Sequence, residues 1–232
     1  MHLFFDPQIT LDSQSFTFNR EESKHLTKVL RKQLGTIVTL TDGKGLQWTG
    51  KLSLVTSQKV FAEKIEAKIH PSPKKSIHLI IAPTKSNERM EWMIEKLTEL
   101  GVSSITPLRC NHSERKVVKT ERWRKIAIAA LKQSQQFFLP EIHPIISFQE
   151  QLKTLRHTSL IAHCHSTSKE NLSDYPLKSD EICLWIGPEG DFSTEEIQAA
   201  TNAGLKSVSL GTQRFRTETA GLLGCHSLFL KQ

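Results

Sequence analysis

Three short polar motifs near the C-terminal end have residue types suited to chemistry: Ile186-Gly187-Pro188-Glu189-Gly190, Leu210-Gly211 and Arg216-Thr217-Glu218-Thr219-Ala220-Gly221. The first follows the apolar run Leu184-Trp185-Ile186, and the second closes Val208-Ser209-Leu210. Three loops at the ends of adjacent strands can converge on one pocket. Glycines let a ligand approach backbone N–H groups closely. The loops add a carboxylate and a guanidinium, with no obvious nucleophile. That set suits a cofactor that brings its own reactive group. Thr217 reads as the cap of the last helix, and Glu218 suits the positive end of its dipole. Arg214 and Arg216 sit against that preference, which points to an anionic partner or a role at a site.

Other chemistries lack their signatures. No GxGxxG or GxxxxGK[ST] is present, which counts against a dinucleotide fold or a P-loop NTPase. No GxSxG or Ser/His/Asp spacing suggests a hydrolase. His163-Cys164-His165 could place two imidazoles on one strand face, but nothing nearby supplies further ligands, so no metal is expected. Cys110, Cys164, Cys183 and Cys225 form no CxxC, and reduced thiols in a cytoplasmic protein are the plain reading. Neither a signal peptide nor a membrane span is expected, because no apolar run approaches the required length.

Charge is unevenly placed along the 232 residues. The net charge of +7 divides into +3 for residues 1–70, +7 for 71–140 and −3 for 141–232. A basic first and middle part suggests a polyanion footprint away from the small-molecule pocket. Arg109, Arg115, Lys116, Lys119, Arg122, Arg124, Lys125 and Lys132 make the densest basic run.

Residues 1–70 read as mostly β, with strands at Ile37–Leu40, Gln47–Val55 and Lys59–Ile69, and a hairpin turn at Asp42–Gly45. One helix, Arg20–Arg31, should bury Leu26, Val29 and Leu30 and project Lys24, Lys28 and Arg31. Pro71-Ser72-Pro73-Lys74-Lys75 is a stiff break, which separates domains at 1–70 and 74–232. Beyond it, strands at Ile77–Ala82, Ser104–Leu108, Leu160–Ala162, Ile182–Ile186 and Val208–Leu210 alternate with helices. The helices start at Ser86, Thr120 (running to Phe137), Ser193 and Thr217. Ser193 and Glu196 form a capping box. The alternation predicts an α/β domain with a mainly parallel sheet.

The ordered motifs resemble one known family, the bacterial small-subunit (16S) ribosomal RNA uridine-N3 methyltransferases of the SPOUT class. The resemblance runs through His25–Arg31, Glu95–Val102, Ser113-Glu114-Arg115, Gln133-Ser134, Ile186–Gly190, Leu210-Gly211 and Arg216–Ala220. It implies an N-terminal PUA-like β-barrel that binds RNA and a C-terminal SPOUT domain ending in a trefoil knot. It implies S-adenosylmethionine held in the knot loops, a homodimer, and methylation of N3 of one uridine in 16S rRNA of the small ribosomal subunit. Cofactor contacts would come from His163, Ile186, Gly187, Glu189, Gly190, Leu210, Gly211, Arg216, Thr217, Glu218 and Ala220. Arg216, Arg214 and Glu218 are the catalytic candidates; Lys24, Lys28, Arg31, Lys85, Arg115 and Arg122 are the RNA-binding candidates. Glu189 is a second candidate proton acceptor. The alternatives are a SPOUT enzyme acting on a ribose 2′-OH or on transfer RNA, or a non-catalytic RNA-binding assembly protein. The chain departs from the family pattern at Lys132, Gln136, Asp191 and Gln213-Arg214-Phe215, with Asp191 standing where a second glycine is usual.

Overall fold

A computed structural model describes residues 2–56, 58–155, 158–165 and 168–231. They form two compact units, Met1–Ser72 with Leu131–Leu139, and Pro73–Ala130 with Pro140–Gln232.

The first unit is a curled five-stranded sheet. Its strands are β1 (Leu3–Phe5), β2 (Ser15–Thr17), β3 (Ile37–Thr41), β4 (Leu46–Val55) and β5 (Val60–Ile69), in the order β1-β3-β4-β5-β2. Only the β1–β3 pair is parallel. Two register shifts between β4 and β5, at Thr49/Gly50 and Leu52/Leu54, bend the long ribbon over its own core. At Gly50 a Cβ would come within 2.4 Å of the Trp48 ring. Phe4, Phe18, Leu26, Val38, Leu40, Trp48 and Leu52 fill the inside. The chain returns at 131–139 to seal one end. Phe137 stacks on His70 at 4.3 Å, its carbonyl accepts the Gly45 N–H (2.9 Å), and Lys132 pairs with Glu22 at 2.6 Å.

The helix expected over Arg20–Arg31 is shorter and changes type. Helix α1 (Arg20–Lys24), capped by Asn19, gives way to a π-helical turn at His25–Val29. There the Leu30 N–H donates to the His25 carbonyl (2.9 Å). The wider turn rotates the following residues, so Leu26 is fully buried while Val29 is 66% exposed, contrary to the expected apolar face. Lys24, Lys28 and Arg31 are exposed, as expected.

In the second unit the strands are β6 (Ser76–Ile81), β7 (Ser104–Arg109), β8 (Glu141–Ile142), β9 (Ile146–Ser147), β10 (Thr158–Ala162), β11 (Glu170–Asn171), β12 (Glu181–Ile186) and β13 (Lys206–Ser209). They form a sheet ordered β11-β13-β10-β12-β6-β7-β8, with β9 beside β7, and every pairing is parallel. Near-continuous apolar runs such as Ile77–Ile81 and Leu184–Ile186 are buried, as a parallel sheet covered on both faces requires. The helices are α2 (Asn87–Leu100), α3 (Thr120–Ser134), α4 (Phe148–Leu152), α5 (Thr194–Asn202) and α6 (Thr217–Phe229).

Several stops and starts follow directly from local chemistry. Ser86 caps α2, and Gly101 ends it in the left-handed conformation (φ 85°). Both halves of the Ser193/Glu196 capping box form at α5. Helix α3 stops three residues before the expected Phe137, because Gln135 turns left-handed (φ 59°).

Candidate functional site

Strand register builds the site. Ala162 on β10 is level with Ile186 on β12 and Val208 on β13, and Ile186 is level with Ile81 on β6. Because the strands are parallel, the segments after β10, β12 and β13 leave from one edge of the sheet. In open α/β sheets that edge is where ligands bind. Here it holds a cavity of about 720 Å³, within the range that takes drug-sized ligands and cofactors.

The cavity wall joins the three motifs. From the segment after β10 come His163, Cys164 and Lys169; from the end of β12 and the turn after it, Ile186, Gly187, Pro188, Glu189 and Asp191; from the loop after β13 and the start of α6, Leu210, Gly211, Arg214, Phe215, Arg216, Thr217 and Ala220. Gly211 has φ 128°, a conformation that side chains rarely adopt. At Gly187 a Cβ would approach the Phe192 ring at 3.0 Å, so glycine is favoured there on packing grounds. Two expected contacts, Gly190 and Glu218, do not border the cavity. Gly190 turns toward His112, and Glu218 is buried with one carboxylate oxygen 3.7 Å from the Arg89 guanidinium.

Thr217 does not cap its helix. Arg216 holds the N-cap position without a side-chain bond, and the Thr217 hydroxyl instead donates to the Gly187 carbonyl (3.2 Å). That bond ties the start of α6 to the turn after β12. The guanidinium groups of Arg214 and Arg216 are exposed and make no hydrogen bond or ion pair among the described residues. Their charge is available to a ligand.

Asp191 holds the wall together. Its backbone is left-handed (φ 63°), which Asp tolerates better than most residues. One carboxylate oxygen accepts the Cys164 N–H (2.7 Å) and the other the Phe192 N–H (2.8 Å). The His165 ring donates to the Phe192 carbonyl (2.8 Å), and Lys169 donates to the carbonyls of His163 (2.7 Å) and His165 (2.8 Å). On the other side of the same turn, the His112 ring donates to the carbonyls of Gly190 and Asp191, both at 3.1 Å. Contacts this far apart in sequence leave no local pattern, so neither Asp191 nor Lys169 could be found as a positioning residue beforehand.

His163 is 7% exposed. Its Nε2 shares a hydrogen bond with the Ser207 hydroxyl (3.1 Å), while Nδ1 is buried without a partner. Burial, reinforced by the Lys169 ammonium, pushes its pKa down to about 4, so the ring is neutral at physiological pH.

Of the basic candidates in this unit, three have internal partners. Lys85 pairs with Glu114 (2.9 Å), Arg122 pairs with Glu91 (2.6 Å), and Arg115 donates to the Asn87 side chain and the Lys85 carbonyl. Arg109 and Lys116 belong to the basic run but not to the six RNA-binding candidates. Both are exposed and make no hydrogen bond or ion pair among the described residues.

Two family models match the chain: an RNA methyltransferase domain over residues 70–228 and an RNA methyltransferase PUA domain over residues 18–65. Proteins named ribosomal RNA small subunit methyltransferase E are similar along the chain. That of Buchnera aphidicola is 29% identical, covering 94% of this chain and 89% of its own. That of Mesomycoplasma hyopneumoniae is 32% identical, covering 69% and 71%. Among solved structures, a probable rRNA methyltransferase of Porphyromonas gingivalis superposes with a TM-score of 0.92 at 37% identity, covering 100% of this chain and 98% of that one. The ribosomal RNA small subunit methyltransferase E of Neisseria gonorrhoeae, bound to S-adenosylmethionine, gives 0.86 at 32% identity, covering 99% and 97%. The chain therefore belongs to the RNA methyltransferase family, with the family's PUA domain preceding a SPOUT-like methyltransferase domain.

Proposed function

We propose that this enzyme transfers a methyl group from S-adenosylmethionine to N3 of a uridine in the 16S rRNA of the small ribosomal subunit. The observation that carries the reading is the cavity where the three motif loops meet at one sheet edge, with backbone groups and two unpaired guanidiniums facing one space. The named relatives act on small-subunit rRNA, and the Neisseria relative binds S-adenosylmethionine.

The residues present fit the cofactor. The cavity is large enough, Gly211 has open space where a side chain would stand, and the exposed Arg214 and Arg216 on the wall carry no internal partner among the described residues. Ile186, Gly187, Glu189, Leu210, Gly211, Arg216, Thr217 and Ala220 would hold it, with Gly190 and Glu218 supporting from behind the wall. When bound, it supplies an activated methyl group. The protein must hold the uracil with N3 directed at that group and exclude water, which is mainly a proximity effect. The uracil must leave its stack to enter. Arg216, with Arg214 beside it, stabilises the negative charge that develops on the uracil carbonyls as N3 loses its proton. Of the two carboxylates, Glu189 borders the cavity and Glu218 does not, so Glu189 is the better placed acceptor.

The exposed Lys24, Lys28 and Arg31 of the first unit contribute to holding the RNA backbone. The enzyme works as a homodimer. Helix α6 buries Gly221, Gly224, Cys225 and Leu228 while Leu223 and Leu230 remain 39% and 72% exposed, an outward apolar face suited to a second copy. The reaction is tested with Arg216→Ala. Its kcat should fall about 100-fold or more, as for loss of one charge-stabilising donor, with cofactor affinity changed only a few-fold. An unchanged kcat would remove Arg216 from the chemistry.

A further inference from the structure

A second cavity, of about 290 Å³, opens beside the end of β7 in the same unit. The buried Cys110 and Phe148 back it, and its rim carries Arg109, Lys116 and Gln149. One carboxylate, Glu196, forms part of the wall. It is 2% exposed, and its oxygens accept the Asn111 and Ser193 N–H groups at 2.8 and 2.9 Å. Its charge is thus taken up by backbone donors. Arg109 and Lys116 are different: both are exposed, and neither makes a hydrogen bond or ion pair among the described residues. The nearby Glu150 feels the charge of Arg109 without an ion pair, and one of its oxygens, Oε2, accepts from the Ser147 N–H and hydroxyl.

The position of this cavity links it to the first. The segment after β7 lies against the turn after β12, through the His112 bonds to Gly190 and Asp191 and the bond from the Asn111 side chain to the Ser193 hydroxyl (3.0 Å). The segment after β7 therefore lines the small cavity through Asn111 and, through His112, touches the turn that lines the large one. A compact cavity with an amide and two unpaired cations on its rim has room for a single nucleotide, with its phosphate on the cations. It is too small for a second large cofactor.

We infer that the cavity bordered by Arg109 and Lys116 is a subsite for one nucleotide of the RNA substrate other than the methylated uridine. This rests on the RNA methyl-transfer reading above. The test is the double variant Arg109→Ala/Lys116→Ala, assayed for binding to small ribosomal subunits between about 50 and 200 mM salt, where phosphate binding is strongly salt-dependent. The dependence of log affinity on log salt should become shallower by about two, about one for each cation removed from a phosphate. Affinity at the lower salt should fall about tenfold or more, with S-adenosylmethionine affinity and melting temperature unchanged. The control Lys178→Ala/Lys206→Ala removes two exposed cations elsewhere on the unit. An unchanged slope in the first variant, or an equal flattening in the control, overturns the subsite. Both readouts are binding measurements, so they stand apart from whether N3 of uridine is the atom methylated.

Discussion

Asp191 offers a graded test of how the cofactor wall is held. Its carboxylate is mostly buried (16% exposed) and accepts two backbone N–H groups, from Cys164 across the wall and from the adjacent Phe192. A hydrogen bond to a charged group contributes about 1.5–3 kcal/mol, and the local Phe192 bond sits at the low end or below. Asp191→Gly keeps the left-handed backbone free of strain and loses both acceptors, so it should cost about 2 kcal/mol. Asp191→Ala loses the same bonds and adds about 1 kcal/mol for its backbone at φ 63°. Asp191→Asn retains an acceptor and the turn preference, and should cost about 1 kcal/mol. At about 2–4 °C per kcal/mol for a chain of this size, the melting temperature should fall in the order Ala, Gly, Asn, by about 6–12 °C for Ala. Urea unfolding measures the ladder, and calorimetry measures S-adenosylmethionine affinity in parallel. Affinity should weaken most in Ala and Gly, because both release the Cys164 segment. A glycine variant as stable and as tight-binding as the parent would show that the carboxylate does not join the two loops.

His163 and Cys164 report on the same wall. The His163 pKa, near 4 in the folded protein against an ordinary 6.5, means that the unfolded chain takes up the proton first as pH falls. Stability from this group is complete above pH 6.5 and is lost progressively down to about pH 4. The shift sets a ceiling near 3 kcal/mol, and screening at the solvent-facing cavity reduces it to about 1–2 kcal/mol. His163→Gln should flatten that part of the stability–pH curve; an unchanged curve would refute the burial argument. Cys164 is exposed on the cavity wall, whereas Cys110 and Cys225 are buried with thiol pKa values pushed up, and burial raises Cys183 to about 11. Iodoacetamide should therefore modify Cys164 first, and saturating S-adenosylmethionine should slow that reaction by about tenfold or more, read by mass spectrometry. Equal rates with and without cofactor would place the cofactor elsewhere.

Local chemistry explains which parts of this structure could be read from sequence. The Ser193/Glu196 capping box, the Gly101 stop and the apolar runs of the parallel sheet are each set by residues within a few positions of one another, and each forms as expected. The three motifs do meet, because parallel strands carry their following loops to one edge. What sequence missed depends on interactions made after folding. The π-helical turn at His25–Val29 rotates Val29 outward despite a helical apolar period. Thr217 looks like a cap and instead donates to Gly187, thirty residues away. Glu218 lies within the last motif but turns toward Arg89 on another helix. A charge run identifies basic residues without showing which are already paired, so the unpaired Arg109 and Lys116 lie in it undistinguished from the paired Arg115 and Arg122.

The most direct measurement incubates the purified protein with methyl-labelled S-adenosylmethionine and small ribosomal subunits that lack the modification, then digests the rRNA to nucleosides. The predicted result is label in 3-methyluridine, abolished or strongly reduced by Arg216→Ala. Label in a 2′-O-methyl nucleoside or any other product, or no label despite demonstrated cofactor binding, would contradict methyl transfer to uridine N3.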